Sequence, residues 1–202
     1  MNLSAQPFFV GINDVLSPGF DPNAFTTYKA WASLTDTSAR AARESVARRE
    51  ALFNTFPITI TGVAGLNDLP GLSTVNGTCT TCHDTPNVGN HSVALAINIG
   101  VTDYPAQGGL DISGLPVYTI KCNSTGATVR TTDPGRALIS GKCADVGKTK
   151  GPILRALAAR APYFHNGSAA TLMDAVEFYD QRFNLNMTEQ QKADLVAFLQ
   201  TL

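Results

Sequence analysis

Apolar residues recur with a helical period in four stretches of the chain. From Ser38 to Asn54 the run SARAARESVARREALFN contains strong helix formers and no glycine. Ala42, Val46, Arg49 and Phe53 fall on one side, with Ala39 and Leu52 adjacent, and Arg40, Arg43, Glu44 and Arg48 face solvent. The basic run reads as a solvated helix face, and Pro57 fixes the end. Pro152 followed by ILRALAAR reads as a proline at a first helical position, with an apolar face of Ile153, Leu154, Leu157 and Ala158 that ends at Pro162. Thr171 caps TLMDAVEFYD, in which Leu172, Ala175, Val176 and Tyr179 recur at i, i+3, i+4 and i+7. The last helix has a capping-box pattern at Thr188 and Gln191 and an apolar stripe of Leu195, Val196, Leu199 and Leu202.

The segments between are punctuated by glycine and proline. Residues 58 to 78 form a turn-rich connector, and residues 84 to 116 leave room only for short elements. Within the latter, ALAINIG at 94 to 100 fits a short strand or a single helical turn. No convincing β alternation appears. The expected architecture is mainly α with long ordered loops, built from an amino-terminal arm at 1–37 and one domain at 38–202. Trp31 is expected to anchor the arm to the core.

Composition narrows the function. The 202 residues are 44% hydrophobic, enough to bury a core. Only 15% are charged, against roughly 25% in an average soluble domain. Fifteen basic and sixteen acidic side chains leave a formal charge of -1. That excludes a nucleic-acid partner, which needs concentrated positive charge, and a strongly steered, lysine-ringed electron carrier. No apolar run approaches a bilayer span.

The opening MNLSAQPFFVGIN lacks the basic start and apolar stretch of a secretory signal. Either the protein stays in the cytoplasm, or a leader or larger upstream region has been removed. Cys122 and Cys143 bear on that choice, because the polar segment between them reads as a disulfide-closed excursion in an oxidising compartment. Two buried free thiols are the alternative. Asn76, Asn123 and Asn166 match Asn-x-Ser/Thr but carry almost no weight in a chain rich in these residues.

The motif with chemistry is CTTCH. Cys79 and Cys82 lie one helical turn apart, with His83 directly behind. Two thiols at that spacing can add to the two vinyl groups of one haem, and the adjacent imidazole can reach the iron. This is the attachment signature of haem c. Two other readings compete. Zinc could gather Cys79, Cys82, Cys122 and Cys143 into a four-thiolate site, which would leave His83 idle. A thioredoxin-like redox pair lacks the β-α-β surroundings it needs.

The CxxCH, the stretch GPILRALAARAPYFHNGSAATLMDAVEFYD and the end TEQQKADLVAFLQTL together resemble bacterial di-haem cytochrome c peroxidases and their MauG-like relatives. The likeness is to their carboxy-terminal, electron-transferring haem domain and extends over about residues 38 to 202. It implies a class I cytochrome c-like helical fold in which the first helix crosses the last beside one covalently bound haem, with His83 as proximal iron ligand. Two departures matter. The chain has one CxxCH where the family has two haems, and Phe164 stands where the family commonly offers a distal methionine.

The sixth iron position therefore has several candidates. His165 lies beside Phe164 and competes with a role in hydrogen bonding the loop or a propionate. Met187 precedes the last helix and is the alternative distal ligand, with a hydrophobic staple at the helix entrance as its other reading. His91 can line the haem edge, and Met173 reads as packing. Arg160 and Arg155 are candidates for propionate pairing, and Tyr163 for packing near the haem. The leading expectation is a periplasmic c-type cytochrome that transfers single electrons to or from a redox partner protein or a membrane-associated donor or acceptor. The alternative is a peroxidase-like haem enzyme domain with an open iron site.

Overall fold

The computed structural model describes residues 9–34, 40–90 and 92–202. Helix α1 spans Arg40–Thr55, and Ser38 and Ala39, where the helix was expected to begin, lie outside the described residues. Its buried face is Ala47, Glu50, Phe53 and Asn54 rather than one through Ala42 and Val46. Two polar residues turn inward because they hold the amino-terminal arm. The Glu50 carboxylate accepts the Tyr28 amide, and Asn54 accepts from the Phe25 amide while donating to its carbonyl. The arm thereby inserts Phe25 between α1 and the last helix. Trp31 packs against Tyr28, with ring centroids 4.8 Å apart and planes inclined at 40°.

Strands β1 (Ile58–Thr61) and β2 (Thr74–Gly77) pair antiparallel, as do β3 (Tyr118–Lys121) and β4 (Thr128–Thr131). These two small sheets correct the expectation of a mainly α, class I cytochrome c-like helical domain without strands. Each strand has four residues, too short a run for alternation to stand out in the sequence. Segment 94–100 is extended and forms isolated bridges, Ala64 with Asn98 and Ile97 with Thr149.

A short helix α2 (Ala137–Ser140) follows β4. The helix expected after Pro152 is absent; only a 3-10 turn at Leu157–Ala159 forms. Tertiary partners take its amides, since Leu154 N–H donates to Val88 O at 2.8 Å and Ala156 N–H to Leu202 O at 3.0 Å. Ala156 also adopts a left-handed φ of 57°, which an α-helix excludes.

Helices α3 (Leu172–Phe183) and α4 (Glu189–Leu199) form where expected, but their most buried side chains are Phe178 and Phe198, outside the expected stripes, in which Tyr179, Val196, Leu199 and Leu202 are half-buried. Thr171 and Asp174 form a reciprocal capping box at the first, and Thr188 and Gln191 do so at the second. Lys192 joins the two helices, reaching Glu177 and Asp180 of α3 at 3.0 Å. Helix α1 packs across α4, with Arg49 bonded to Asp194 at 2.8 Å and the Phe53 and Phe198 rings 5.4 Å apart. Three buried clusters, centred on Phe25, Phe53 and Phe198, on Ile58, Ile60 and Val63, and on Val101 and Phe178, surround a cavity between the helices and the connectors. Among the described residues no helix is long and apolar enough to cross a membrane.

Candidate functional site

Strand β2 leads directly into the Cys-Thr-Thr-Cys-His element. Cys79–Thr81 form a 3-10 turn, and His83 N–H closes on Cys79 O at 3.0 Å. The intervening threonines are buried and lock the turn. Thr81 Oγ1 accepts from Thr78 N–H at 2.9 Å, and Thr80 Oγ1 donates to Pro22 O of the arm at 2.6 Å. Gly77 is required here, because a Cβ would collide with the Thr81 hydroxyl. Asn13 of the arm donates to Asp84 O at 2.8 Å. The arm, expected to be a packing tail, thus clasps the motif from behind and directs its chemical groups forward.

Those groups line a mostly apolar cavity of about 450 Å3. Both thiols are free, and burial pushes each pKa up to about 12, so they are held neutral. Burial also lowers the pKa of His83, partly offset by a hydrogen bond to Gly89. His83 Nδ1 lies 2.8 Å from Gly89 O. A carbonyl can only accept, so Nδ1 carries the proton and Nε2 keeps a free lone pair. Gly89 itself is held at φ 71°, and a Cβ there would lie 2.6 Å from Leu154 and 2.8 Å from Phe25. Sequence reading missed this residue, since nothing local distinguishes its carbonyl from those of the neighbouring turn.

The cavity lining also includes a turn after the cis Ala161–Pro162 bond. Tyr163 bridges Ala169, and its hydroxyl donates to Leu157 O at 2.9 Å. Phe164 adopts a left-handed φ of 66°, and its ring packs against Phe178 and Tyr179 at centroid distances of 5.0 and 6.2 Å. His165 lies at the rim with its side chain 61% exposed and its Nδ1 hydrogen-bonded to Asp133. Burial raises the pKa of Tyr179, another cavity residue, so its phenol is neutral.

Met187 is buried in the cluster of Phe53, Leu195 and Phe198 and lines the same cavity. Its amide donates to the Asp180 carboxylate at 2.9 Å, and burial of that carboxylate is outweighed by this bond and by Lys192, which together lower its pKa. Arg160 reaches the cavity edge, where its guanidinium donates to Ile153 O. Lys150, not foreseen as a site residue, also lines the edge and donates to Val93 O at 3.2 Å. Arg155 and Met173 are not among the lining residues. His91 lies outside the described residues.

Cys122 and Cys143 form a disulfide with Cα atoms 5.7 Å apart, within the normal span. This consumes two thiols that a four-cysteine zinc site would need. Among the described residues no group of three or more metal-ligating side chains forms. Two neutral thiols beside an imidazole with an available Nε2, on the wall of a large apolar cavity, fit an iron porphyrin attached through thioethers.

Five curated proteins are significantly similar to this chain. Cytochrome-c peroxidase IdrP2 of Denitromonas iodatirespirans is 33% identical over an alignment of 140 positions that covers 64% of this chain and 37% of that protein. Cytochrome-c peroxidase IdrP1 of the same organism is 41% identical over an alignment of 69 positions that covers 29% of this chain and 18% of that protein. Cytochrome c551 peroxidase of Nitrosomonas europaea is 41% identical over 69 residues, 34% of this chain and 21% of that protein. The chain is a distant, partial homologue of bacterial cytochrome c peroxidases. It spans little more than a third of the relatives' length at most. No protein-family model and no solved structure matches it. Every similar protein is a peroxidase by name, and this corrects the expectation that an electron-transfer cytochrome is the better reading than a peroxidase.

Proposed function

We propose that this chain is a haem c domain of a peroxidase-type protein that acts on hydrogen peroxide or a close relative at an open iron face. Cys79 and Cys82 would hold one haem through thioethers, and His83 would be its proximal ligand. The observation that carries the reading is the His83–Gly89 hydrogen bond at 2.8 Å, which keeps Nε2 available beside two neutral thiols. When bound, the haem supplies a redox-active iron. The chain's own residues do the rest. Gly89 fixes the imidazole tautomer, the apolar wall would exclude water, and Arg160 at the edge would pair with a propionate.

In this reading the iron would lack a second sulfur or nitrogen donor, because Phe164 offers a ring, packed on Phe178, in place of a methionine. His165 is engaged by Asp133 at the rim, and Met187 serves the core cluster. When bound, an iron open on one face would supply the chemistry of peroxide reduction, in which one peroxide, two electrons and two protons give two waters. A redox partner protein would supply the electrons. The disulfide supports an oxidising compartment, which in this reading is the periplasm.

Resonance Raman spectroscopy of the ferric protein tests the open face. The reading expects a high-spin component that cyanide converts to low spin, in the wild type and in Met187→Leu alike. A six-coordinate low-spin spectrum indifferent to cyanide and peroxide would count decisively against it.

A further inference from the structure

Residues 117–148 form an excursion whose surface is unlike that of the rest of the molecule. In the β3–β4 ribbon, Tyr118 pairs with Thr131 and Ile120 with Val129, so these side chains share one face, while Thr119, Lys121, Thr128 and Arg130 share the other. On the first face Tyr118 and Val129 are 46% and 38% exposed and Ile120 is half-buried, while Thr131 at the root is buried against the body. Helix α2 adds Leu138 and Ile139, at 77% and 89% exposure. A two-stranded ribbon is marginal alone in water. Here its end is tied to the segment after α2 by the Cys122–Cys143 disulfide.

Charge is segregated in the same place. The excursion contains Lys121, Arg130, Arg136, Lys142 and Lys148 against Asp133 and Asp145, a net +3 in a chain of net -1, so the remainder carries -4. Lys121 and Lys142 each adjoin a bridged cysteine and therefore flank the disulfide. Near-neutrality of the whole chain conceals this local excess.

The root of the excursion touches the cavity wall. Thr102, a cavity residue, has its carbonyl oxygen engaged by Thr132 N–H at 2.9 Å and by the Thr131 hydroxyl at 2.8 Å. Asn166 donates to Thr132 Oγ1 at 3.0 Å, and Asp133 holds His165. A body seated on the excursion is thus connected to the cavity through a few hydrogen bonds.

We infer that the disulfide-tied excursion is the docking surface for an electron-donor protein whose own docking face is acidic around an apolar centre. The inference rests on the haem reading above and names the partner for that site. Exposed isoleucine, leucine and tyrosine supply the dry centre of a small transient interface, and the flanking lysines supply steering and orientation. The disulfide preorganises the surface, so that little ordering accompanies encounter.

Stopped-flow reduction of the ferric haem protein by two ferrous class I cytochromes c, one acidic and one basic, tests the proposal. Ascorbate serves as a small reductant that needs no docking surface. The acidic donor is expected to react faster than the basic one at low ionic strength, with the difference closing at high salt. Lys121→Glu/Lys142→Glu is expected to slow the acidic donor by about tenfold and to speed the basic one. Leu138→Ser/Ile139→Ser is expected to slow the acidic donor several-fold, with ascorbate rates and the disulfide unchanged in both variants. Wild-type rates with the acidic donor in both variants, or a faster reaction with the basic donor, would overturn the docking surface. Absence of any ferrous haem spectrum with ascorbate would instead remove the haem reading and the proposal with it.

Discussion

Gly89 accepts a hydrogen bond from His83 Nδ1 at 2.8 Å, across only six positions of sequence. The turn between them places the carbonyl, and the glycine's left-handed φ of 71° is what allows the turn. Phe25 from the arm and Leu154 from the cavity wall close over it. The imidazole that would bind iron is therefore oriented by three separate parts of the chain.

Gly89→Ala should be strongly destabilising. The new methyl group meets Leu154 and Phe25 well inside contact distance, at a φ that disfavours side chains. Overpacking and backbone strain together cost on the order of 3 kcal/mol, a fall in Tm of roughly 10 °C for a domain of this size. Thermal unfolding followed by circular dichroism checks this, and an unchanged Tm would mean that the turn is not as tightly packed as described.

Phe164→Met should close the open face. Methionine tolerates the site's apolar surroundings, and its thioether is an iron ligand that phenylalanine cannot be. Cyanide binding to the ferric protein should weaken by about tenfold or more, equivalent to about 1.4 kcal/mol, and peroxide-dependent oxidation of a donor should fall with it. Equal cyanide affinity in both proteins would show that residue 164 does not govern the sixth position.

Asp84 predicts a pH dependence. Burial pushes its pKa up to about 6, against the hydrogen bonds from the Ser92 amide and hydroxyl. Between the ordinary carboxyl value and about 6, the folded protein retains a proton that the unfolded chain releases. Stability from this group is therefore present at low pH and is lost as pH rises through that window, by on the order of 2 kcal/mol. Denaturant unfolding at a series of pH values should show this slope in the wild type and a flatter one in Asp84→Asn. Parallel slopes in the two proteins would rule out the assignment.

The parts of the fold that could be read from sequence were those with local causes. The capping boxes at Thr171 and Thr188 and the apolar stripes behind them depend on residues three and four apart, and α3 and α4 formed accordingly. The grouping of Cys79, Cys82 and His83 in one turn was equally legible, because it depends on spacing alone. What escaped was set by distant partners. Leu154 and Ala156 gave up a helical pattern to bond with Val88 and Leu202. Glu50 and Asn54 turned the buried face of α1 because the arm needed their side chains. Gly89 and the arm's grip on Thr80 and Asp84 had no sequence signal, since each is a backbone carbonyl placed by a turn.

Intact and peptide mass spectrometry of protein produced with haem c maturation tests the central claim most directly. The account predicts one haem added to the chain, located on the peptide containing Cys79, Cys82 and His83, with Cys122 and Cys143 still joined to each other. A colourless protein of bare polypeptide mass, with Cys79 and Cys82 both open to alkylation after the same treatment, would contradict it.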